Sequence, residues 1–247
     1  MRSAVTATAM TDAAPGAAPV MLVTGGTGSI GSAVAQRARA EGWRVITQGR
    51  GANADIALDA SAPDAAARLV EAAAAIHGRL DAVVDCLSAG PAGFRLTGPF
   101  HATEPAGYDA FLGLSAGWFQ RLAHAAWPHL AERGGTLIAF VSDAGKFAAP
   151  NQTIVGAARA APIGFVRNLA VEAARDGIRA HCISPSFVAG SASAEQMGSQ
   201  RMAKAQARAG LGLPTAEDIA PITVFLCGPG AARITGQVIS VNGGLNA

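Results

Sequence analysis

The chain has 247 residues, half of them hydrophobic and 15% charged, with a formal net charge of +2. That length holds one α/β domain or a small pair, and that apolar share excludes a disordered protein. The basic residues are scattered, so the chain lacks the electrostatic footprint of a nucleic-acid reader or of a binder of acidic membranes.

The first 18 residues are rich in Ala, Thr and Pro and contain one Arg. They carry no long apolar core, so they match neither a signal peptide nor a membrane span, and the reading is a disordered tail over 1–18 of a cytoplasmic protein. A single domain over 19–247 follows. Its opening stretch, Val20 to Gly31, reads V-M-L-V-T-G-G-T-G-S-I-G. A buried strand ends there in a glycine-dense turn that feeds a helical pattern. Gly25, Gly28 and Gly31 let the backbone turn sharply, approach a ligand and pack helix on strand. The free N–H groups at the helix start then face an anion, expected to be the pyrophosphate of a dinucleotide.

Further strand candidates are Arg44–Thr47, Asp55–Leu58, Ala82–Cys86, Thr136–Val141, Arg179–Ile183 and Gln237–Val241. Alanine-rich helical patterns separate most of them: Ser29–Glu41, Ala62–His77, Ala106–Glu132, Gln152–Asp176 and Thr215–Cys227. Strand and helix in alternation predict α/β architecture, a doubly wound parallel sheet of about seven strands with helices on both faces. Val45 to Asp55 is too short for a crossover helix, so a loop or one helical turn is expected there. Ser61 followed by Pro63 reads as the start of the second helix. The stretch from 189 to 214 breaks the alternation; it is Gly-, Ser- and Ala-rich, with a basic helical piece around Gln200 to Arg208, and reads as an irregular lid over a ligand site. Its Met197, Met202 and Leu211 suit a largely apolar small-molecule substrate. Cys86, Cys182 and Cys227 have no metal-ligand spacing and read as small buried hydrophobes, and no metal site is expected. His77, His101, His124 and His129 likewise show no triad or metal spacing.

With these landmarks in order, the chain from about Val20 onward resembles the short-chain dehydrogenase/reductase family. T-G-G-T-G-S-I-G (Thr24 to Gly31) resembles the cofactor loop, and Leu58-Asp59-Ala60 the place of an adenine-contacting aspartate. Ser88-Ala89-Gly90 stands where the family has N-A-G. G-G-T-L-I-A-F-V-S-D-A-G (Gly134 to Gly145) resembles the fifth strand and catalytic serine, and G-I-R-A-H-C-I-S-P-S-F-V (Gly177 to Val188) the sixth strand and the nicotinamide-side loop. Glu217 to Ala220 and Ile234 to Gly244 resemble the last helix and strand. The resemblance implies a Rossmann-like fold, homodimers or homotetramers, and a cofactor site of Gly25, Thr27, Gly28, Ser29, Ile30, Gly31, Arg50, Asp59, Ala60, Ala89, Gly90, Arg159, Pro185 and Val188. Trp118, Phe119 and Phe165 then serve either subunit contacts or the core.

The family's chemistry rests on Ser, Tyr and Lys in the spacing S-x12-Y-x3-K, with an Asn on the preceding helix. Counted from Ser142, the tyrosine position holds Val155 and the lysine position Arg159. Leu114 takes the asparagine position, and Ser186 replaces the glycine of the P-G loop. The sole tyrosine, Tyr108, lies on an earlier helix. Valine cannot donate a proton, and arginine holds charge and five donors but does not deprotonate. Three readings stay open. In the first, an oxidoreductase uses a substitute acid: Asp143, a water on Ser142 and Arg159, or, less readily, His181. In the second, Ser142 and Arg159 polarise an oxygen for isomerisation, dehydration or cyclisation. In the third, the chain is a silent dinucleotide-binding subunit. The second strand ends in Gln48, Gly49 and Arg50 with no carboxylate, so Arg50 is expected to pair with a 2′-phosphate and NADP(H) to be favoured over NAD(H).

Overall fold

The computed structural model describes residues 18–87 and 94–246. Seven parallel strands form one sheet in the order β3-β2-β1-β4-β5-β6-β7. They are β1 (Val20–Thr24), β2 (Arg44–Gly49), β3 (Ile56–Ala57), β4 (Ala82–Asp85), β5 (Gly135–Phe140), β6 (Ile178–Pro185) and β7 (Val238–Val241). The order reverses direction between β1 and β4, and β1 pairs with both β2 and β4. The helices are α1 (Ser29–Ala40), α2 (Ala65–His77), α3 (Tyr108–Leu112), α4 (Trp118–Ala131), α5 (Thr153–Ala173), α6 (Ala192–Met197), α7 (Ser199–Arg208) and α8 (Ala216–Cys227). Parallel strands need long crossovers, and helices supply all of these except the one from β2 to β3, which is a loop as expected.

Both sheet faces are covered, which is why the strands read as continuous apolar runs. On one face Leu22, Val83, Leu137, Ala180 and Cys182 meet α2, α4 and α5 through Leu69, Leu122 and Val166. On the other, Val23, Val84, Ile138 and Ile183 meet α1 and α8 through Val34, Ile219 and Val224. Trp118 and Phe119 are buried within this single chain, so the subunit-contact alternative falls away for both; Phe165 packs edge-on against Phe119 at 6.0 Å. The stretch Thr153–Asp176 is apolar and long enough to cross a bilayer, but Ile163, Val166, Leu169 and Ala170 bury one face of it in the core. Arg179 ties β6 to the end of α8 by donating to the carbonyls of Leu226, Cys227 and Gly228, the groups a helix C-terminus leaves unpaired.

Several local expectations need correction. Ser61 does not cap α2; the cap position is Asp64, and the Ser61 N–H donates instead to Asp59. The long helix expected over Ala106–Glu132 runs unbroken from Tyr108 to Ala131, but it widens to a π turn over Gly113–Gly117 where α3 passes into α4. In the stretch from 189 to 214 the basic helical piece expected around Gln200 to Arg208 is α7, and a second helix, α6, precedes it where an irregular path was expected, capped by Ser191, which accepts from the Ala194 N–H. Cys86 stands just past β4 and is only partly buried, unlike Cys182 and Cys227. The expected tail lies outside the described residues except for Ala18, and so do Ala89 and Gly90.

Candidate active site

In a parallel sheet all strands end on one edge, and ligands bind outside that edge where the strand order reverses. Here β1 leads into the Gly25–Gly31 turn, β2 into Arg50, β3 into Asp59 and Ala60, β5 into Ser142, and β6 ends at Pro185 just before Val188. The fold thereby places these residues, which are far apart in the sequence, at one edge of the sheet.

The glycine turn is built to admit a ligand. A Cβ on Gly25 would stand 2.8 Å from the Cys86 carbonyl oxygen, and one on Gly31 would stand 2.3 Å from that of Gly25. Gly25 has φ of +62°, which L side chains rarely adopt. Gly28 is the N-cap of α1 and offers no side-chain cap, and the first turn holds no acidic residue. The opening N–H groups of α1 are therefore left to an incoming anion, with Ser29 and Thr27 beside them. This cradle fits a pyrophosphate.

Gln48 is buried and fully engaged: its Oε1 accepts from the Gly25 N–H at 3.0 Å, and its Nε2 donates to the Leu58 carbonyl at 2.7 Å. It locks the cofactor loop to β2 and β3, a role that the motif alone does not reveal. Arg50 is exposed near Asp59, whose carboxyl is held below its ordinary range by hydrogen bonds from Ser61 and then by the Arg50 charge. A polar pocket lies between Thr27, Arg39, Thr47, Asn53 and Asp55. Asp55 accepts from the Thr47 N–H and hydroxyl at 2.8 and 2.7 Å and lies 3.8 Å from Arg39. A shallow apolar cleft between α2 and α4, lined by Pro63 and His124, lies in the helical layer away from the strand ends.

At the other half of the crevice, Ser142 follows β5 and its Oγ accepts from the Ala144 N–H at 3.3 Å. Asp143, expected as a substitute acid, is a structural carboxylate. Its Oδ1 accepts from Ser184 at 2.8 Å, and its Oδ2 accepts from Asn242 at 2.8 Å and Asn246 at 2.9 Å. It is buried, with both oxygens turned toward β6 and the C-terminal segment. His181 is wholly buried and stands beneath α8, on the strand face opposite Ser184, so it too is remote from the crevice. Lys146 is occupied with Ser240, donating at 2.5 Å, and lies over Phe147. The Tyr108 hydroxyl pairs with Thr103 at 2.5 Å.

Val155 and Arg159 lie on α5, where one helical turn puts them on a common face. Val155 adjoins an apolar cluster of Leu96, Phe111, Ile154 and Ala158. Burial lowers the pKa of the Arg159 guanidinium, and the charge of Asp85 opposes that shift. Asp85 belongs to no motif in the sequence and emerges only from the structure. It ends β4, is buried, and accepts from the Thr24 hydroxyl, from Trp118 Nε1 at 3.1 Å and from the Leu87 N–H at 3.3 Å. Burial pushes its carboxyl above the ordinary range, although these hydrogen bonds and the Arg159 charge pull the other way.

A strand-order reversal, a capless helix start and charged groups gathered at the strand ends define a dinucleotide-binding α/β protein. The family model for enoyl-(acyl carrier protein) reductase matches residues 25–246. The chain is 32% identical to a short-chain reductase protein, NovJ, of Streptomyces niveus, over 96% of this chain and 98% of that one. It is 29% identical to an acetoacetyl-CoA reductase of Shinella zoogloeoides over 91% and 97% of the two chains. The solved TT0495 protein from Thermus thermophilus superposes with a TM-score of 0.83 at 28% identity, covering 91% of this chain and 97% of that one. A short-chain type dehydrogenase/reductase from Mycobacterium ulcerans shares the fold with a TM-score of 0.84 at 24% identity, over 92% and 89%. The chain belongs to the short-chain dehydrogenase/reductase family of oxidoreductases.

Proposed function

We propose that the chain is a nicotinamide-dependent oxidoreductase that acts on the carbonyl or enone of a largely apolar small molecule, with a proton donor other than tyrosine. The observation that carries this reading is the intact cradle at Gly25–Gly31 beside a crevice in which Val155 replaces the usual acid. The coenzyme, when bound, supplies the hydride. Gly25, Thr27, Gly28, Ser29, Ile30 and Gly31 hold its pyrophosphate, Asp59 and Ala60 its adenine, and Arg159 its nicotinamide ribose. Pro185 and Val188 line the ring side, with Ala89 and Gly90 along the dinucleotide. Ser142 orients the substrate oxygen, and burial of the site strengthens each of these polar contacts. With Gln48 engaged and Asp55 held by Thr47, Arg50 meets a 2′-phosphate, so NADP(H) is favoured over NAD(H). The acetoacetyl-CoA reductase relative points to β-ketoacyl substrates as the first class to try. The unpaired cysteines suit a reducing cytoplasm.

The valine also favours a second reading, non-redox chemistry in the same pocket with Ser142 and Arg159 polarising an oxygen. Reduced coenzyme mixed with a panel of ketones, enones and β-ketoacyl thioesters separates the two. Loss of nicotinamide absorbance supports the redox reading; tight coenzyme binding with no consumption on any substrate overturns it.

A further inference from the structure

Among the described residues, the three hydrogen bonds to the Asp85 side chain all land on one oxygen. Thr24 Oγ1, Trp118 Nε1 and the Leu87 N–H all donate to Oδ1. An asparagine amide oxygen would satisfy all three equally, without the cost of burying an ionisable group. What a carboxyl adds at this place is Oδ2, and among the described residues no donor reaches it. Asp85 ends β4 beside Thr24, its register partner and the residue that opens the glycine turn, so it stands at the strand edge where the crevice forms. The charged group that acts on it is Arg159 of α5. The Arg159 guanidinium makes neither a hydrogen bond nor an ion pair with any described residue. Asp85 and Arg159 therefore lie within electrostatic reach of each other without a hydrogen bond or ion pair joining them.

We propose that Asp85 is the proton-exchanging group of this crevice, with Arg159 as its fixed counter-charge. This rests on the oxidoreductase reading above. In the reducing direction the Oδ2–H bond of the carboxyl breaks and a ligand oxygen gains the proton. The carboxylate left behind is stabilised by Arg159 and by the three donors already on Oδ1, and solvent returns the proton. The oxidising direction runs in reverse. Burial supports the scheme, because it favours the uncharged carboxyl in the resting site. Among the described residues the other titratable side chain beside Asp85 is Cys86, whose thiol is pushed up by burial and then by the Asp85 charge, and stays neutral. Thr24 on β1 and Trp118 on α4 bring no charge.

The substitution that isolates ionisation is Asp85→Asn, since its amide oxygen keeps the three bonds. Infrared difference spectra of the coenzyme-free protein at neutral pH are expected to show a protonated-carboxyl stretch in the wild type that Asp85→Asn lacks. Coenzyme affinity of the wild type is expected to fall as pH rises through that ionisation, and that of Asp85→Asn to stay flat. Single-turnover reduction should drop at least about 100-fold in Asp85→Asn, the scale of a lost acid, with one limb of the pH profile removed. No carboxyl stretch in the wild type, or wild-type rate and pH profile in Asp85→Asn, overturns the proposal. A wild type that shows the stretch and the pH-dependent affinity but consumes no coenzyme overturns the redox reading instead and leaves Asp85 as the ionising group.

Discussion

Gly31 in the first turn of α1 sits so close to Gly25 that a Cβ there would stand 2.3 Å from the Gly25 carbonyl oxygen. No rotamer relieves that contact, because the Cβ position is fixed by the backbone and its partner is a backbone oxygen. Gly31→Ala is therefore expected to move the cofactor loop, weaken coenzyme binding at least tenfold and cost roughly 1–3 kcal/mol of stability. Gly164→Ala, at a helical glycine with open space around it, should instead be neutral or stabilising by about 0.5–1 kcal/mol. Calorimetry with coenzyme and thermal melts of both variants check this; unchanged binding in Gly31→Ala contradicts it.

Arg50 is expected to set coenzyme choice. Arg50→Ala should weaken NADP(H) at least tenfold while NAD(H) changes by less than threefold, read by fluorescence titration of each reduced coenzyme. Equal losses for the two would remove the 2′-phosphate assignment.

Asp143 is expected to matter for folding rather than for proton transfer. Asp143→Ala strands the donors of Ser184, Asn242 and Asn246 in the interior. The expected loss is on the order of 3 kcal/mol, since hydrogen bonds to a charged group are worth more than neutral ones. Urea unfolding gives the number. A near-neutral midpoint combined with a vanished pH limb in the rate would return Asp143 to the chemistry.

His181 is expected to make the protein acid-sensitive. Burial first, and the Arg179 charge second, lower its pKa from 6.5 to about 4, against a weak opposing contact with the Ile234 backbone. The unfolded chain takes up the proton below 6.5 while the folded one resists it until about 4, so the unfolded state binds more protons between those limits. Stability is expected to be full above pH 6.5 and to decline as pH falls toward 4. His181→Met, an apolar replacement at a wholly buried position, should flatten the melting temperature over that window. An unchanged slope in the variant would assign the acid sensitivity elsewhere.

The sheet is legible in the chain because buried parallel strands announce themselves as short apolar runs, and all seven appear within a few residues of their expected bounds. The glycine turn is legible because only glycine tolerates its contacts. Asp85 is not, because V-V-D-C reads as an ordinary strand end; its meaning depends on Thr24, Trp118 and Arg159, which lie far from it in sequence. Asp143 misleads for the complementary reason. Its place beside Ser142 suggests chemistry, whereas its partners at 184, 242 and 246 become neighbours only in three dimensions. The start of α2 differs from the expected one because Asp59 captures the Ser61 N–H before a helix can begin. The π turn between α3 and α4 leaves only Gly113 and Gly117 as clues.

The C-terminal segment that holds Asp143 also grips the chain just after α7. A Cβ on Gly243 would lie 1.7 Å from the Gly212 carbonyl oxygen, and the Leu211 N–H donates to the Gly243 carbonyl at 3.0 Å. The end of that stretch is thus fixed to the same C-terminal segment that holds Asp143. The stretch is anchored at its leading end as well, where the Ala189 N–H donates to the Pro214 carbonyl at 2.8 Å, and along α7 and its C-cap, where Ala205 and Ala209 pack with Leu245, so α6 and α7 are stitched down at several places rather than one.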